Sequence, residues 1–231
     1  MDIIVNYIIF NLRIAMNSVI ILGGGKSQRF SSKIPKQFIN HNNKSIIEYS
    51  INTFLSNNKI FEVIIVVPSN WVIKFKNIYN QCKVVGGGKT RFESMRNGFN
   101  AVSNKSKKIL IHDAARPLVS HEIINNCINY LDNYDASCPY VDIVDSIISI
   151  DNKLVDYLNR DKIKKIQTPQ GFKKNILKNY CKNKAYGYDD ISGSIYYNKK
   201  IDVKFFKGEI ENFKITNDID LHLFKGIVND L

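Results

Sequence analysis

The sequence predicts an α/β domain built on a doubly wound, mostly parallel sheet. Short apolar runs rich in β-branched residues alternate along the chain with segments whose apolar residues recur three and four positions apart. The first pattern is typical of strands that are buried on both faces, and the second is typical of amphipathic helices. Repetition of strand, helix and strand favours right-handed crossovers, which make successive strands run parallel.

The predicted elements follow this alternation through the first half of the chain. The strands are SVIIL (18–22), FEVIIVVP (61–68), CKVVG (82–86) and KKILIHD (107–113). The helices are SIIEYSINTFL (45–55), RFESMRNGFNAV (91–102) and SHEIINNCINYL (120–131). Ser120 stands two residues before Glu122, a combination that favours a helix N-cap at Ser120.

The pattern changes after Tyr140. SIISI and KLVDYL lie on either side of Asp151-Asn152, which predicts a hairpin of two alternating strands. Pro169 and Gly171 are expected to break the chain before the helical segment FKKNILKNYCKNK. A last strand, IDVKFFKG, and a last helix, DIDLHLFKGIV, then complete the domain.

Length and composition fit a single domain over residues 17–231. A chain of 231 residues with 44% hydrophobic residues can bury a substantial core. The apolar run at the N-terminus is broken by Asn6 and Arg13 and is shorter than the roughly twenty residues that a bilayer requires. Because Met16 directly precedes the first strand, we interpret residues 1–16 as a dispensable extension and expect no membrane anchor.

Charge and cysteine content restrict the partners and the compartment. The net charge of +12 is compatible with nucleic-acid binding, because basic surfaces attract phosphate backbones. The lysines are scattered, however, and no recognition helix, zinc spacing or aromatic RNA-binding pattern accompanies them, so we expect no nucleic-acid partner. The four cysteines form no C-x-x-C pair, which favours reduced thiols and a cytoplasmic location. Apolar surroundings place Cys127 and Cys138 in the predicted core.

Two glycine-rich cationic turns, GGGKSQR (23–29) and GGGKTR (86–91), each contain the Gly-Lys-Ser/Thr end of a P-loop. The full P-loop pattern requires a glycine at the positions that hold Ile20 and Lys83, so neither turn is a P-loop. The first turn also lacks the G-x-G-x-x-G spacing of a dinucleotide-binding turn. Both turns nevertheless follow predicted strands, which is where open α/β sheets bind their ligands.

Two further loops follow predicted strands, HDAARP (112–117) and NFKIT (212–216). Together the four loops could supply glycine N–H groups and cations for phosphates, and a carboxylate for a metal ion. Each loop alone is weak evidence for a binding site. HDAARP, for example, fits equally well a strand end at which Asp113 caps the next turn. The order and spacing of the loops are much more specific.

In order and spacing, these motifs resemble the 2-C-methyl-D-erythritol 4-phosphate cytidylyltransferases, enzymes of non-mevalonate isoprenoid synthesis. The motifs, in family order, are GGGKSQRF, PKQF (35–38), GGGKTRFESMRNGF (86–99), HDAARP, QTPQGF (167–172), YDDIS (188–192) and ENFKIT (211–216). The resemblance implies a Rossmann-like fold of the nucleotide-diphospho-sugar transferase type. It also implies Mg²⁺-dependent transfer of CMP from CTP to methylerythritol phosphate, with release of pyrophosphate.

Matching positions carry the implied roles. Arg29, Lys36 and Lys214 would hold the triphosphate and stabilise charge at the reacting phosphates. Asp113 would be a ligand of Mg²⁺ that is held mainly by the CTP phosphates. The residues implied at the nucleotide are Gly23, Gly24, Gly25, Gly88, Ser94, Asp113 and Ala114. The residues implied at the alditol phosphate are Arg116, Ser146, Arg160 and Tyr188.

The family's projecting arm crosses into the partner subunit and contributes to its substrate-phosphate site, and Arg160 matches an arginine at the end of that arm. The resemblance therefore implies a homodimer, with the predicted hairpin as a dimerisation arm near residues 143–165.

Three departures from the family pattern keep alternatives open. Ser27 replaces a common glycine of the first turn, Tyr188 replaces a threonine at the alditol phosphate, and Ser146 replaces a threonine of the arm. The bulk of Tyr188 leaves open a sister cytidylyltransferase that uses ribitol 5-phosphate or another alditol phosphate. Other classes are a non-catalytic nucleotide-binding or scaffold protein and a basic nucleic-acid-binding protein. A nicotinamide-dependent dehydrogenase is disfavoured because its fingerprint turn is missing.

Overall fold

The computed structural model of the protein describes residues 16–25, 34–151 and 154–230. Within these ranges the strands are β1 (Met16–Leu22), β2 (Asn40–His41), β3 (Lys44–Ser45), β4 (Glu62–Val67), β5 (Lys83–Gly86), β6 (Ser106–Asp113), β7 (Ala136–Asp142), β8 (Ile147–Asp151), β9 (Leu154–Leu158), β10 (Lys164–Ile166), β11 (Gln170–Lys173) and β12 (Val203–Lys207). The α-helices are α1 (Ile46–Leu55), α2 (Val72–Ile78), α3 (Arg91–Ala101), α4 (His121–Tyr130), α5 (Lys174–Cys181), α6 (Asp190–Tyr197) and α7 (Asp218–Asn229). Short 3₁₀ turns occupy Lys36–Phe38, Ser69–Trp71 and Arg160–Lys162.

The central sheet has the strand order β10-β7-β11-β6-β1-β4-β5, and β12 pairs with β7 as well. Strands β6, β1, β4 and β5 run parallel to one another, and β12 runs parallel to β7. Strand β11 is antiparallel to both β6 and β7, and β10 is antiparallel to β7. The predicted doubly wound, mostly parallel sheet is confirmed.

Helices cover both faces of this sheet because its central strands are apolar on both sides. In β1, Val19 and Ile21 pack against the cluster that includes residues of α1, α2 and α4. Ile20, between them, packs against the cluster that includes residues of α3, α5 and α6. These three side chains are fully buried, and each such burial contributes about 1.5–3 kcal/mol to folding. Cys127 and Cys138 are also fully buried, as predicted.

Local capping fixes where the helices begin. The Ser120 hydroxyl accepts a hydrogen bond from the Ile123 N–H at 3.1 Å, so the predicted N-cap of α4 is confirmed. At α1, the backbone N–H of Ser45 donates to the Glu48 carboxylate at 2.7 Å, as part of a capping box. These side chains satisfy N–H groups that a helix leaves unpaired in its first turn.

Strands β7 and β11 and helix α6 were not predicted from the sequence. The expectation that Gly171 breaks the chain is wrong, because Gly171 lies inside β11 and pairs with Leu110 and Ser137. A side chain at Gly171 would overlap the Ser137 hydroxyl, so the small residue permits close packing inside the sheet. Phe172 is the apolar residue of this four-residue strand, which therefore lacks an apolar alternation.

The predicted hairpin is confirmed as β8 and β9, which form a separate two-stranded sheet. Of the predicted turn residues, Asp151 is the last residue of β8. Residues 152 and 153 lie outside the described residues. The predicted extension lies outside them too, up to residue 15, and β1 begins at Met16. In the part of the chain that the structure describes, no helix has the length and apolar character needed to cross a membrane.

Two glycines inside helices are expected to respond oppositely to alanine. A β-carbon at Gly98 of α3 would overlap Ile20 and crowd Val66, so Gly98→Ala should lower the free energy of unfolding by roughly 1–3 kcal/mol. Within the described ranges, a β-carbon placed at Gly226 of α7 has no atom within 4 Å apart from its chain neighbours and the helix's own backbone, so Gly226→Ala should raise the free energy of unfolding by about 0.5–1 kcal/mol. Urea denaturation measures both changes, and a stabilising Gly98→Ala would contradict the close packing of α3 on the sheet.

Candidate functional site

A cavity of about 510 Å³ opens at the carboxyl ends of β1, β5 and β6. The register sets Leu22 at the end of β1 opposite Asp113 at the end of β6, so the segments after these strands meet at one edge of the sheet. This is the edge at which parallel α/β sheets bind ligands. The lining residues are Leu22, Gly23, Gly24, Gly25, Lys36, Gln37, Gly88, Lys89, Thr90, Arg91, Ser94, Asp113, Ala114, Ala115, Lys214 and Thr216.

The two glycine-rich turns pack against each other at this edge. A β-carbon at Gly24 would lie 3.5 Å from the Cα atom of Gly87 and 3.1 Å from the Ser94 hydroxyl. The Ser94 hydroxyl accepts from the Gly88 N–H at 3.1 Å and donates to the Thr90 carbonyl at 2.9 Å. Small residues in both turns therefore allow the two backbones to approach closely. This packing explains why the two turns have similar glycine-rich sequences although neither is a P-loop.

Gln37 holds the first turn and was not predicted as a site residue. Its buried side-chain amide donates to the carbonyls of Gly23 at 2.7 Å and Gly25 at 2.8 Å. The neighbouring Phe38 stacks on Trp71 with ring centroids 3.9 Å apart, which anchors the 3₁₀ turn that also bears Lys36. The PKQF motif contained Gln37, but its backbone partners are visible only in the folded chain.

Asp113 lies at the centre of the charged groups. Its Oδ2 atom accepts from the Lys214 ammonium at 2.6 Å, and its Oδ1 atom accepts from the Arg91 Nε atom at 3.1 Å. Burial alone would raise the pKa of Asp113, but the charges of Arg91 and Lys214 outweigh burial and hold the pKa well below its ordinary value. Asp113 is therefore a carboxylate at neutral pH.

Arg91 also contacts a second carboxylate, that of Asp190, and sequence reasoning singled out neither Arg91 nor Asp190. Its Nη1 atom donates to Asp190 Oδ2 at 2.7 Å, and Asp190 is only 1% exposed. Burial opposes the charge of Arg91, yet the two carboxylates raise its pKa above the ordinary value. Burial raises the pKa of Asp190, and Arg91 opposes that shift. Both residues lie within motifs quoted from the sequence, GGGKTR and YDDIS, but their pairing across 99 positions is a tertiary contact.

Lys214 is placed by the loop that follows β12. The next residue, Ile215, is fully buried, and its N–H donates to the Ala115 carbonyl at 2.8 Å. This bond ties the NFKIT segment to the HDAARP segment and sets the Lys214 ammonium beside Asp113.

A network of buried hydrogen bonds holds the backbone of Asp113. The Asp113 N–H donates to the Thr168 hydroxyl at 3.1 Å, and that hydroxyl lies 3.3 Å from His112 Nδ1. The other ring nitrogen, Nε2, lies 3.0 Å from the Arg116 carbonyl, which can only accept. His112 therefore carries its proton on Nε2 and accepts at Nδ1.

The structure brings together most of the implied nucleotide residues and places the implied alditol-phosphate residues elsewhere. Lys36, Lys214, Asp113, Ala114, Ser94 and the implied glycines all line the cavity, whereas Arg29 and Ser27 lie outside the described residues. The Arg116 guanidinium donates to the carbonyls of Asn212 and Ile166. Ser146 and Tyr188 are exposed, and Arg160 donates to the Val144 carbonyl. The cavity lining includes none of these four.

A model of the family described as "2-C-methyl-D-erythritol 4-phosphate cytidylyltransferase" matches residues 17–230. The chain belongs to this family. A 2-C-methyl-D-erythritol 4-phosphate cytidylyltransferase of Clostridium botulinum (strain 657 / Type Ba4) is 38% identical over 229 residues, covering 93% of this chain and 98% of the relative. One from Thermotoga neapolitana is 32% identical over 219 residues, with the same coverage of both chains.

A solved structure supports the same family membership. The 4-diphosphocytidyl-2C-methyl-D-erythritol synthase of Anaerococcus prevotii superposes with a TM-score of 0.83 at 25% identity, covering 94% of this chain and 97% of that one. The cytidylyltransferase family therefore accounts for the fold over nearly the whole chain. It also makes this protein a nucleotidyltransferase that uses CTP.

The buried His112 is expected to make stability depend on pH. Burial lowers the pKa of His112 from 6.5 to about 4, so between these values the unfolded chain binds a proton that the folded chain does not. The contribution is fully present above pH 6.5 and is lost as the pH falls to 4, by about 3 kcal/mol in total. Urea denaturation near neutral pH and at about pH 5 measures this loss.

The variants His112→Asn and His222→Gln isolate the effect. His222 is exposed on α7, so its variant should keep the pH dependence of the wild-type chain. His112→Asn should lose less stability than the wild type over the same interval. Equal losses in the wild type and His112→Asn would contradict a buried neutral His112.

Proposed function

We propose that the cavity at the carboxyl ends of β1, β5 and β6 is where this chain transfers CMP from CTP to 2-C-methyl-D-erythritol 4-phosphate. Pyrophosphate is the second product. One observation carries the assignment: Asp113, Lys36, Lys214 and two glycine turns come from separate motifs and line a single cavity. The cavity thus combines cations, backbone N–H groups and a carboxylate, which are the groups that phosphoryl transfer needs.

The chemistry is a displacement at the α-phosphorus of CTP. A phosphate oxygen of the alditol phosphate attacks in line and forms the new P–O bond, while the bond to the β-phosphate breaks and its electrons leave with pyrophosphate. Little covalent chemistry is required of the protein, so positioning and charge stabilisation dominate. Lys36 and Lys214 supply positive charge to the α-phosphate and to the leaving pyrophosphate, and Arg29 is proposed as the third cation.

The residues at the cavity fit a bound Mg²⁺ ion that is held mainly by substrate. The described residues contain no group of three or more His, Cys, Asp or Glu side chains that could hold a metal ion alone. Asp113 offers one carboxylate with lone pairs beyond those used by Arg91 and Lys214. One or two carboxylates with phosphate oxygens and waters are how proteins usually bind Mg²⁺. Such an ion would neutralise charge on the triphosphate.

The glycine turns and Ser94 are proposed to receive the nucleoside. Gly23, Gly24 and Gly25 lack side chains, so their backbone amides can approach CTP closely. Gly88 and Ser94 line the same cavity at the second turn, where we place the cytosine, and Ala114 adjoins Asp113. Buried backbone groups that pair with the base would discriminate cytosine from uracil.

The alditol phosphate is proposed to bind Arg116, Ser146, Arg160 and Tyr188 in a homodimer. One face of the β8–β9 hairpin carries the cross-strand pairs Ile148–Tyr157 and Ile150–Val155, and all of these side chains are exposed. An exposed apolar patch on a projecting arm supports docking onto a partner subunit. In that arrangement Arg160 serves the partner's site.

A second candidate substrate is ribitol 5-phosphate or another alditol phosphate, and Tyr188 is the residue that favours it. Its side chain is fully exposed, so its bulk is available to an incoming polyol instead of filling the core. The cytoplasmic location is also part of the proposal. It is supported by the four cysteines, which are all free thiols.

Replacing either cavity lysine is expected to abolish most turnover. Lys36→Ala and Lys214→Ala should each lower kcat roughly 10²- to 10³-fold, because each removes a charge aimed at the transition state. Pyrophosphate release is measured with CTP and Mg²⁺, using methylerythritol 4-phosphate and ribitol 5-phosphate in parallel. Preference for the first substrate supports the proposal, and preference for the second assigns the alternative.

Lys76→Ala is the matched control, because Lys76 is exposed on α2 away from the cavity. It should turn over like the wild type. Near-normal turnover in Lys36→Ala or Lys214→Ala would remove that lysine from the mechanism, and a wild-type protein inactive with both substrates would contradict the proposed function.

Mixed dimers are expected to test whether the arm crosses between subunits. Lys36→Ala and Arg160→Ala chains should each be weakly active, and a mixed dimer would regain one site with both residues intact if Arg160 serves the partner. Co-refolded chains should therefore recover about a quarter of the wild-type activity. A verified heterodimer without recovery would contradict the crossing arm.

A further inference from the structure

The guanidinium of Arg91 bridges two carboxylates that belong to different parts of the molecule. Nε contacts Asp113 at the end of β6, and Nη1 contacts Asp190 at the first residue of α6. The cavity lining includes Arg91 and Asp113 but not Asp190. Asp190 therefore has no direct contact with the cavity that the described residues form, and substrate binding alone does not explain why Arg91 is paired with it.

The far end of the bridge is rigidly held. The carboxylate of Asp189 caps α6 by accepting from the Ser192 N–H at 2.7 Å, and it also accepts from the Gln170 side chain at 2.8 Å. The Asp190 side chain is 1% exposed, and its ion pair with Arg91 joins α6 to the cavity. Tyr188 directly precedes this acidic pair, so the bridge also fixes the turn that bears it.

The number of carboxylate partners distinguishes Arg91 from Lys214. Their side chains are about equally exposed, at 33% and 37%, but among the described residues Lys214 pairs with one carboxylate whereas Arg91 pairs with two. Lys214 can exchange its single contact for a phosphate oxygen on substrate binding. Arg91 can leave Asp113 only by abandoning a buried carboxylate, which is disfavoured because breaking a buried pair leaves an uncompensated charge.

We propose that Arg91 is a positioning residue. Through its ion pairs with Asp113 and Asp190, it links the nucleotide side of the site to the alditol side. Arg91 Nε keeps its contact with the Asp113 carboxylate when Lys214 exchanges its own contact with Asp113 for a phosphate oxygen. The ion pair with Asp190 prevents Arg91 from leaving Asp113 for the phosphates in the same way. The inference rests on the proposed function, because it assigns Asp113 to the nucleotide and the turn at Tyr188 to the alditol phosphate.

The bridge requires arginine. Two nitrogens of one planar guanidinium reach two carboxylates at fixed directions, whereas the ammonium of lysine is a single point charge. Arg91→Lys therefore keeps the charge and loses the bridge. Asp190→Asn keeps the shape and loses the charge that restrains Arg91. Both variants are expected to shift the Asp113 carboxylate. Neither variant removes that carboxylate.

A double-mutant cycle over Arg91→Lys and Asp190→Asn tests the inference. The purified full-length chains are compared in kcat, in KM for both substrates, in CTP·Mg²⁺ affinity by calorimetry and in melting temperature. Arg96→Lys is the matched control, because Arg96 lies on the same helix, is exposed, and contacts the Phe92 ring instead of the cavity. It should match the wild type in every measurement.

Each single variant should lower kcat about 10- to 100-fold, since small misplacements of a reacting group have effects of this size. CTP·Mg²⁺ affinity should change less than about threefold, because the cavity cations and glycine turns remain. The double variant should be no slower than the slower single variant, because both changes break the same bridge. A loss of kcat at Asp190, which the cavity does not include, is the specific signature of positioning.

Other outcomes overturn the inference. Losses that multiply in the double variant would show that the two residues act independently. A lowered melting temperature with unchanged kcat would make the bridge purely structural. If Asp190→Asn does not fold, Asp190→Glu, which displaces the same charge by one methylene, takes its place in the cycle. Wild-type protein assayed beside the variants separates the two proposals, because an inactive wild type overturns the proposed function, whereas an active wild type with independent losses overturns only the role of Arg91.

Discussion

Parallel pairing of β1 with β4 and β6 is the constraint on which the site depends. The pairing sets Leu22 opposite both Val66 and Asp113, so the first glycine turn and the carboxylate reach the same edge. A slip of one residue would exchange the faces on which Val19 and Ile20 are buried, which the packed helices on both sides forbid. The hydrophobic core therefore fixes the geometry of the site, and Ala114 belongs both to the core and to the cavity lining.

Charge is the second constraint, and it follows from the first. Asp113 ends β6 and is buried, so an isolated carboxylate there would be strongly disfavoured. Arg91 and Lys214, brought in by other segments, neutralise it. The same arrangement limits repulsion between the cations at the cavity, which preorganises the site for the phosphates that we propose it binds.

The sequence predicted those features that depend on local patterns. Apolar runs located the parallel strands, and the loops after predicted strands contained Asp113 and Lys214, which line one cavity. The family resemblance, and not the strand pattern, added Lys36 to the same cavity. Strand β11 was not predicted because its residues show no apolar alternation. The strand is stabilised by pairing with β6 and β7. Arg91 and Gln37 lay in quoted motifs but were not singled out, since a distant carboxylate and two backbone carbonyls define their roles.

The two sides of the site differ in how they are built, and this difference bears on specificity. The nucleotide side is made by strand ends and turns that the core holds in register. The residues implied at the alditol phosphate include Ser146, Arg160 and Tyr188, which lie on exposed segments. Substitutions at exposed positions usually change stability little. If these residues bind the alditol phosphate as proposed, a substitution that alters alditol selectivity would affect the fold little. Tyr188, whose backbone N–H donates to the Ser192 hydroxyl, is fully exposed and is one such position.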